Sequence, residues 1–321
     1  MADEDPLSAP AETAVRQCLG LDPDESFVVV TDEKREAIGE ALYDAGAAAT
    51  EDATLVRYLP GDQHGEEPPA PVGAALGASD AFLAPTTKSL SHTRARSDAS
   101  ESGARGATLP GITEEVFVTG LDADYDAIAA ECEAMLERVA DAEEVRVTSP
   151  EGTDIAFEPG DRDWRDDTGI VHEPGDFSNL PAGEVFVSPE TANGTYVVDG
   201  TISPHGLLDP GQSVEITVEN GYVTEISDSG LRELVENAAE EAGEDAYNLA
   251  ELGIGTNTAV TDLAGSILLD EKAGGTVHVA IGDDAGIGGD TDAPIHEDGV
   301  IRNPTVYADG ELVELPSVER R

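Results

Sequence analysis

The 321-residue chain predicts an α/β protein, with an N-terminal open parallel-sheet α/β domain over residues 1–143 and an α+β, strand-rich domain over residues 144–321. Three observations carry this. The apolar run Phe27-Val28-Val29-Val30 leads directly into Thr31 and Asp32, residue types that cap helices, and then into a helical segment from Glu33 to Ala48. The stretch from Asp122 to Val139 spaces Tyr125, Ile128, Ala129, Cys132, Met135, Leu136 and Val139 along one face of an amphipathic helix. From Glu144 onward the pattern changes to short alternating segments, the mark of half-buried strands.

Taken in order, an amphipathic opening runs to Leu19, and Phe27 to Val30 has the unbroken apolar character of a strand buried on both faces. Leu55 to Tyr58 and Ala81 to Leu83 are further strands. Pro60 to Pro71 collects Gly, Pro, Asp and Glu without periodicity and is expected to be a surface loop. Val145 to Thr148 and Thr153 to Phe157 flank Glu151-Gly152 as a hairpin would. Val185 to Val187, Tyr196 to Val198, Val214 to Val218 and Tyr222 to Ile226 continue the pattern, with Asn220-Gly221 a two-residue hairpin turn and Leu231 to Ala242 one interrupting helix. No fixed-period repeat emerges, so solenoids and propellers are not expected.

Acidic residues number 68 against 17 basic ones, for a net charge of -51, and lysine occurs only at positions 34, 88 and 272. The acids are spread along segments that also carry apolar patterns, so they coat a folded surface rather than form a tail. Such a surface repels itself until concentrated salt shortens the screening length to roughly 3 Å at 1 M, which points to a halophilic protein. The same field excludes nucleic acid and anionic membranes, which need clustered Lys and Arg. The start of the chain lacks the basic-then-apolar order of a signal peptide, no apolar run approaches the roughly 20 residues of a membrane span, and a cytoplasmic location is expected. Cys18 and Cys132 lie far apart without CxxC spacing.

Several chemistries drop out on motif grounds. The first strand-to-helix turn reads Thr31-Asp32-Glu33-Lys34, with no glycine fingerprint for NAD or FAD. Neither Gly-x-Ser-x-Gly nor a Cys beside a His is present. The glycine-rich stretch Gly282 to Asp292 carries Asp283, Asp284, Asp290 and Asp292, which would repel phosphate.

What remains is metal chemistry. His278 sits in Thr276-Val277-His278-Val279-Ala280-Ile281-Gly282, where strand alternation puts it on one face with Thr276 and Ala280. In an extended chain His296 and Asp298 likewise share a face and could bind one divalent ion. Glu184 opens the strand that follows Asn179-Leu180-Pro181-Ala182-Gly183. Glu251 lies in the apolar, glycine-rich Asn248 to Gly255, where a buried acid needs a partner or a metal. Each residue alone is equally compatible with an ordinary surface or hydrogen-bonded role.

Their order is more specific. Asn-Leu-Pro-Ala-Gly-Glu-Val-Phe at 179–186, Ala-Glu-Leu-Gly-Ile-Gly-Thr-Asn at 250–257, Val-His-Val-Ala-Ile-Gly at 277–282 and His-Glu-Asp at 296–298 together resemble the thermophilic metalloaminopeptidases, aminopeptidase T and its relatives. Leu90-Ser91-His92-Thr93-Arg94-Ala95 through Leu109-Pro110-Gly111-Ile112 resembles that family's first domain, so the similarity covers most of the chain. The resemblance implies that Glu184, Glu251, His278, His296 and Asp298 bind two divalent ions (zinc, cobalt or manganese) that activate a water against a small peptide substrate, and a homodimer is expected. One position departs: the family's catalytic tyrosine, seven positions after the first histidine, falls on Ala285, and the loop to His296 is shorter. No catalytic residue is thereby assigned; Tyr307 is the alternative hydroxyl.

The ring-opening dihydroxypyridine dioxygenases look similar to the same aminopeptidases and bind one ferrous ion. In that reading His278, His296 and Asp298 form a two-histidine, one-carboxylate set, and a catalytically degenerate relative is the third reading. Retention of both Glu184 and Glu251 favours the dinuclear hydrolase.

Overall fold

The apolar run after residue 26 forms the strand Ser26–Thr31, flanked by Asp52–Arg57 and Ala81–Thr86. Arg105–Pro110 and Phe177–Asn179 complete a five-stranded sheet in which every pairing is parallel. The structure, a computed structural model, describes residues 5–318; the first four residues of the acidic start and the last three of the chain lie outside it. Parallel strands need crossovers, and the helices Glu36–Ala47, Ala70–Leu76 and Arg94–Glu101 supply them.

Both faces of this sheet are covered. Phe27 and Thr31 meet the helix Glu36–Ala47 at two glycines: a Cβ on Gly46 would lie 2.3 Å from the Phe27 ring and one on Gly39 2.8 Å from Thr31. Two glycines seven apart on one helical face thus let backbone approach sheet. Val28 and Val30 point the other way and cluster with Phe82, Ala84, Val72, Leu76 and Ala99. This explains why the run reads as continuously apolar.

The chain divides into two units, the first reaching Ala129 and including Thr168–Ala182, the second holding Ala130–Asp167 and everything from Gly183 onward. The second unit carries two seven-stranded sheets whose described pairings are all antiparallel. One runs Tyr222–Ile226, Val214–Glu219, Thr191–Val198, Asp154–Glu158, Val145–Thr148, Thr305–Ala308 and Glu311–Val313. The other runs Gly206–Leu207, Thr201–Ile202, His296–Ile301, Val277–Gly282, Leu249–Gly255, Glu184–Val187 and Arg165–Asp167. The α/β class with a parallel-sheet domain followed by a strand-rich one is therefore the observed architecture.

The local expectations hold where turn chemistry is strong. Asn220 and Gly221 both have positive φ (53° and 81°), which a tight hairpin requires, and the Asp228 side chain caps the helix Ser229–Ala242 by accepting from the Leu231 N–H. Several elements lie where the sequence pattern carries no signal, and three illustrate the reason. Ala70–Leu76 overlaps the end of the expected loop, Glu114–Leu121 is a separate helix before Tyr125–Val139, and Arg105–Pro110 is a strand with no β-branched residue but Thr108. The first two are short helices and the third is held by its neighbours' ladder, so local propensity says little of them. Among the described residues no helix is long and apolar enough to cross a membrane.

Candidate metal centre

The site grows from four adjacent strands of the second sheet of the second unit, Glu184–Val187, Leu249–Gly255, Val277–Gly282 and His296–Ile301. Leu249–Gly255 is buried at every residue, so Glu251 enters an apolar wall and its carboxylate must find partners there. The ladder sets Gly253 opposite His278, Gly255 opposite Glu184, and Ala280 opposite Asp298. Strand alternation then aims His278, Glu251, Glu184 and Asp298 into one space.

Glu251 is the hub. His278 Nε2 lies 3.2 Å from its Oε1 and His296 Nε2 lies 3.4 Å from its Oε2. His278 Nε2 also approaches Glu184 Oε2 at 3.3 Å, and His296 Nε2 approaches Asp298 Oδ2 at 3.5 Å. The ligating atoms of Glu184, Glu251 and His278 fall within 4.8 Å of one another, as do those of Glu251, His296 and Asp298. All five residues singled out from the sequence are thus brought together. His278 is 1% exposed, whereas the His296 side chain is 33% exposed and marks the open side.

His296 has a defined tautomer. Its Nδ1 lies 2.7 Å from the Asp283 carbonyl oxygen, which only accepts, so Nδ1 carries the proton and Nε2 is directed at the carboxylates. Asp283 belongs to a loop fixed by its neighbour Asp284, whose carboxylate accepts from Ser188 Oγ at 2.8 Å, Asn248 Nδ2 at 3.0 Å and the Thr291 N–H at 2.7 Å. The glycine-rich loop is therefore tied down rather than a phosphate cradle.

The electrostatics are those of an acid-rich cage. Burial works against a charged His278, but its hydrogen bond to Glu251 and the nearby carboxylates outweigh that and lift its pKa to about 9. His296 is raised well above the usual imidazole value against its burial, by Asp298 and Glu251. Glu251 is held low despite burial because both imidazoles contact it, and Asp298 is lowered by His296 in the same way. Burial raises Glu184 even with Lys272 and His278 beside it.

A divalent cation fits this donor set. Glu184 Oε2 and Asp298 Oδ1 are buried without a hydrogen-bond partner, atoms that water cannot reach and that a cation would satisfy. Two imidazoles with carboxylates suit iron, zinc, cobalt or manganese. Ala285 sits exposed on the loop with no group to offer, and Tyr307 lies on Thr305–Ala308 of the other sheet, paired with Arg146. A cavity of about 470 Å³ lined by Glu215, Arg232, Glu236 and Tyr247 holds none of the five residues.

Sequence reasoning missed Lys272. It is 5% exposed and ion-pairs with Glu184 and, at 2.8 Å, with Glu271 Oε1. The signal was present as one lysine of three, set between Leu268-Leu269 and Ala273-Gly274-Gly275.

Residues 20–315 match the family NicX, 2,5-dihydroxypyridine 5,6-dioxygenase. No curated protein matches the chain. Among solved structures, 2,5-dihydroxypyridine dioxygenase from Pseudomonas putida KT2440 superposes with a TM-score of 0.76 at 20% identity, covering 97% of this chain and 95% of that one. Wild-type AmpT from Thermus thermophilus gives a TM-score of 0.64 at 19% identity, covering 96% and 99%. At these identities both likenesses establish a shared fold. The aminopeptidase resemblance read from the motifs is thus a likeness of fold, while the family matched along the chain is the dioxygenase one. The five ligand types in order did not separate the two.

Proposed function

This chain belongs to the NicX family, a metal-dependent enzyme family, and from that premise we propose that it is a ring-opening dioxygenase acting on a dihydroxylated pyridine or a similar electron-rich ring. His278, His296 and Asp298 would hold one ferrous ion. The observation that supports this reading is the approach of both imidazoles to Glu251, with the Asp298 carboxylate beside His296, in a chain of this family.

A ferrous ion bound there would supply the redox chemistry that lets dioxygen react with an aromatic ring, both oxygen atoms entering the cleaved product. The protein's own residues orient and exclude. The Asp283 carbonyl fixes the His296 tautomer, the Gly253 backbone leaves room for the His278 ring, and burial of Glu184, Glu251 and Asp298 keeps water from the carboxylates. A flat substrate would enter on the half-exposed His296 side, along the 283–295 loop.

A second reading, the dinuclear aminopeptidase, is favoured by one observation: two ligand triplets share Glu251, as a bridging carboxylate would. The discriminating experiment is oxygen uptake with 2,5-dihydroxypyridine by protein loaded anaerobically with iron(II) in concentrated salt, run beside amino-acid release from leucyl substrates after loading with cobalt or manganese. Stoichiometric oxygen consumption supports the dioxygenase. Leucine release without oxygen uptake overturns it.

A further inference from the structure

One buried carboxylate outside the candidate ligand set joins the ends of the strands that carry it. Asp284 is 2% exposed. Its Oδ2 accepts from Ser188 Oγ at 2.8 Å and from Asn248 Nδ2 at 3.0 Å, and its Oδ1 accepts from the Thr291 N–H at 2.7 Å. Ser188 directly follows the strand of Glu184, Asn248 directly precedes the strand of Glu251, and Asp284 itself comes just after the strand of His278. Thr291 belongs to the stretch that leads to His296. The fit is close: a Cβ on Gly289 would lie 1.9 Å from the Asp284 Cγ, and the Asp284 carbonyl accepts from the Gly289 N–H at 2.8 Å. The Arg162 guanidinium stands 3.8 Å from Oδ2.

The two histidines are held by different means. His278 is buried and its Nδ1 has no hydrogen-bond partner, so packing over Gly253 and the contact with Glu251 set its ring. The partly exposed His296 has less packing to rely on. Its ring is fixed by the 2.7 Å bond from Nδ1 to the Asp283 carbonyl, and the peptide that presents this carbonyl ends at Asp284. The N–H of that peptide donates to the Thr291 carbonyl at 3.0 Å, while the Asp284 side chain accepts from the Thr291 N–H, so the peptide is pinned on both sides of the Asp284 Cα. A metal-bound imidazole depends on such a partner for its orientation.

We infer that Asp284 is a positioning residue for His296: by fixing the peptide that carries the Asp283 carbonyl, it orients the imidazole and sets how tightly the centre holds a divalent ion. This rests on His296 being a ligand, as in the reading above, and is the same for one ion or two. Asp284→Asn keeps the shape of the side chain and reverses part of its chemistry. In either amide orientation the NH2 meets a donor, the Thr291 N–H at one oxygen position or Asn248 Nδ2 at the other, so the peptide is released.

The test is a double-substitution cycle on zinc affinity, measured by competition with a chelating dye on full-length protein in concentrated salt, with folding checked by circular dichroism. Asp284→Asn should lose about 10- to 100-fold, the usual cost of removing the support of a ligand. In the His296→Ala background the same change should cost less than about twofold more, because the ring it orients is gone; a purely structural role would cost the same in both backgrounds. In zinc-loaded protein with isotope-labelled histidine, the His296 Nδ1–H resonance, identified by its absence from His296→Ala, should be protected from exchange with water in the parent and lost in Asp284→Asn. The inference is overturned if folded Asp284→Asn keeps parental affinity, keeps that resonance, or loses as much affinity with His296→Ala as without it. Should Asp284→Asn not fold, Ser188→Ala, which removes one donor and keeps the carboxylate, takes its place in the cycle, with about a 10-fold loss expected in the parent alone. Parental affinity in His296→Ala would remove His296 from the ligand set and the inference with it. Failure of Asp284 alone would leave His296 a ligand, so the two results are distinguishable.

Discussion

Gly253 and His278 face each other across the ladder, and the missing side chain of the first is the space occupied by the ring of the second: a Cβ on Gly253 would lie 2.0 Å from His278 Nε2. Gly253→Ala is therefore expected to displace the imidazole rather than to unfold the strand, whose other residues are unchanged. Metal affinity should fall by about 10- to 100-fold, measured by competition with a chelating dye, while circular dichroism stays that of the parent. Unchanged affinity would show that His278 is not a ligand.

Glu251 contacts both imidazoles, one at each carboxylate oxygen. Glu251→Gln replaces a charge by an amide that offers one acceptor, so both histidines lose their shared anchor. A loss of metal affinity at least as large as that of Gly253→Ala is expected, on the order of 100-fold, read by elemental analysis after dialysis. Retention of metal at parental affinity would remove Glu251 from the centre.

In the first unit Arg105 is held bidentately by Glu25, at 2.6 and 2.7 Å, and also donates to the Leu19 carbonyl at 3.1 Å. The Arg105 hydrogen bond lowers the Glu25 pKa below its ordinary 4.5, ahead of the opposing effect of burial. A depressed carboxylate pKa stabilises the fold above the unfolded value and ceases to do so as pH falls through the folded value. Glu25→Gln should thus cost roughly 1.5–3 kcal/mol at pH 7, typical of a charged hydrogen bond, and the gap to the parent should close below about pH 4 in thermal melts. A gap independent of pH would mean the loss is one of packing.

With a net charge of -51 over 321 residues, the fold is expected to gain stability from salt. Raising ionic strength from 0.1 M to 1 M shortens the screening length from about 10 Å to about 3 Å, so the melting temperature should climb with potassium chloride over this range. A melting temperature equally raised by sucrose would point to exclusion from the surface instead of screening.

How much of this was legible can be judged residue by residue. Phe27 to Val30, His278 and the Asn220-Gly221 turn were readable because strand period and turn chemistry are local properties. Glu251 was readable because an acid inside Leu-Ala-Glu-Leu-Gly-Ile-Gly has no solvent to face. Lys272 was not, because a lysine in a turn acquires meaning only from the Glu184 carboxylate 88 residues earlier in the chain. The reaction was not readable either. The ordered ligand types are compatible with both readings drawn from the sequence, since a set of metal-binding residues does not by itself fix the reaction.

The ladder pairs Gly282 directly with His296, so the residues between them leave the sheet and return to it at one fixed rung. Insertions or deletions in that excursion change the wall a substrate meets without shifting His278, His296 or Asp298 by a register. A frame with one variable border allows the wall beside the candidate ligands to be remodelled while their rungs are kept, provided Asp284 stays to anchor the stretch whose Asp283 carbonyl holds His296.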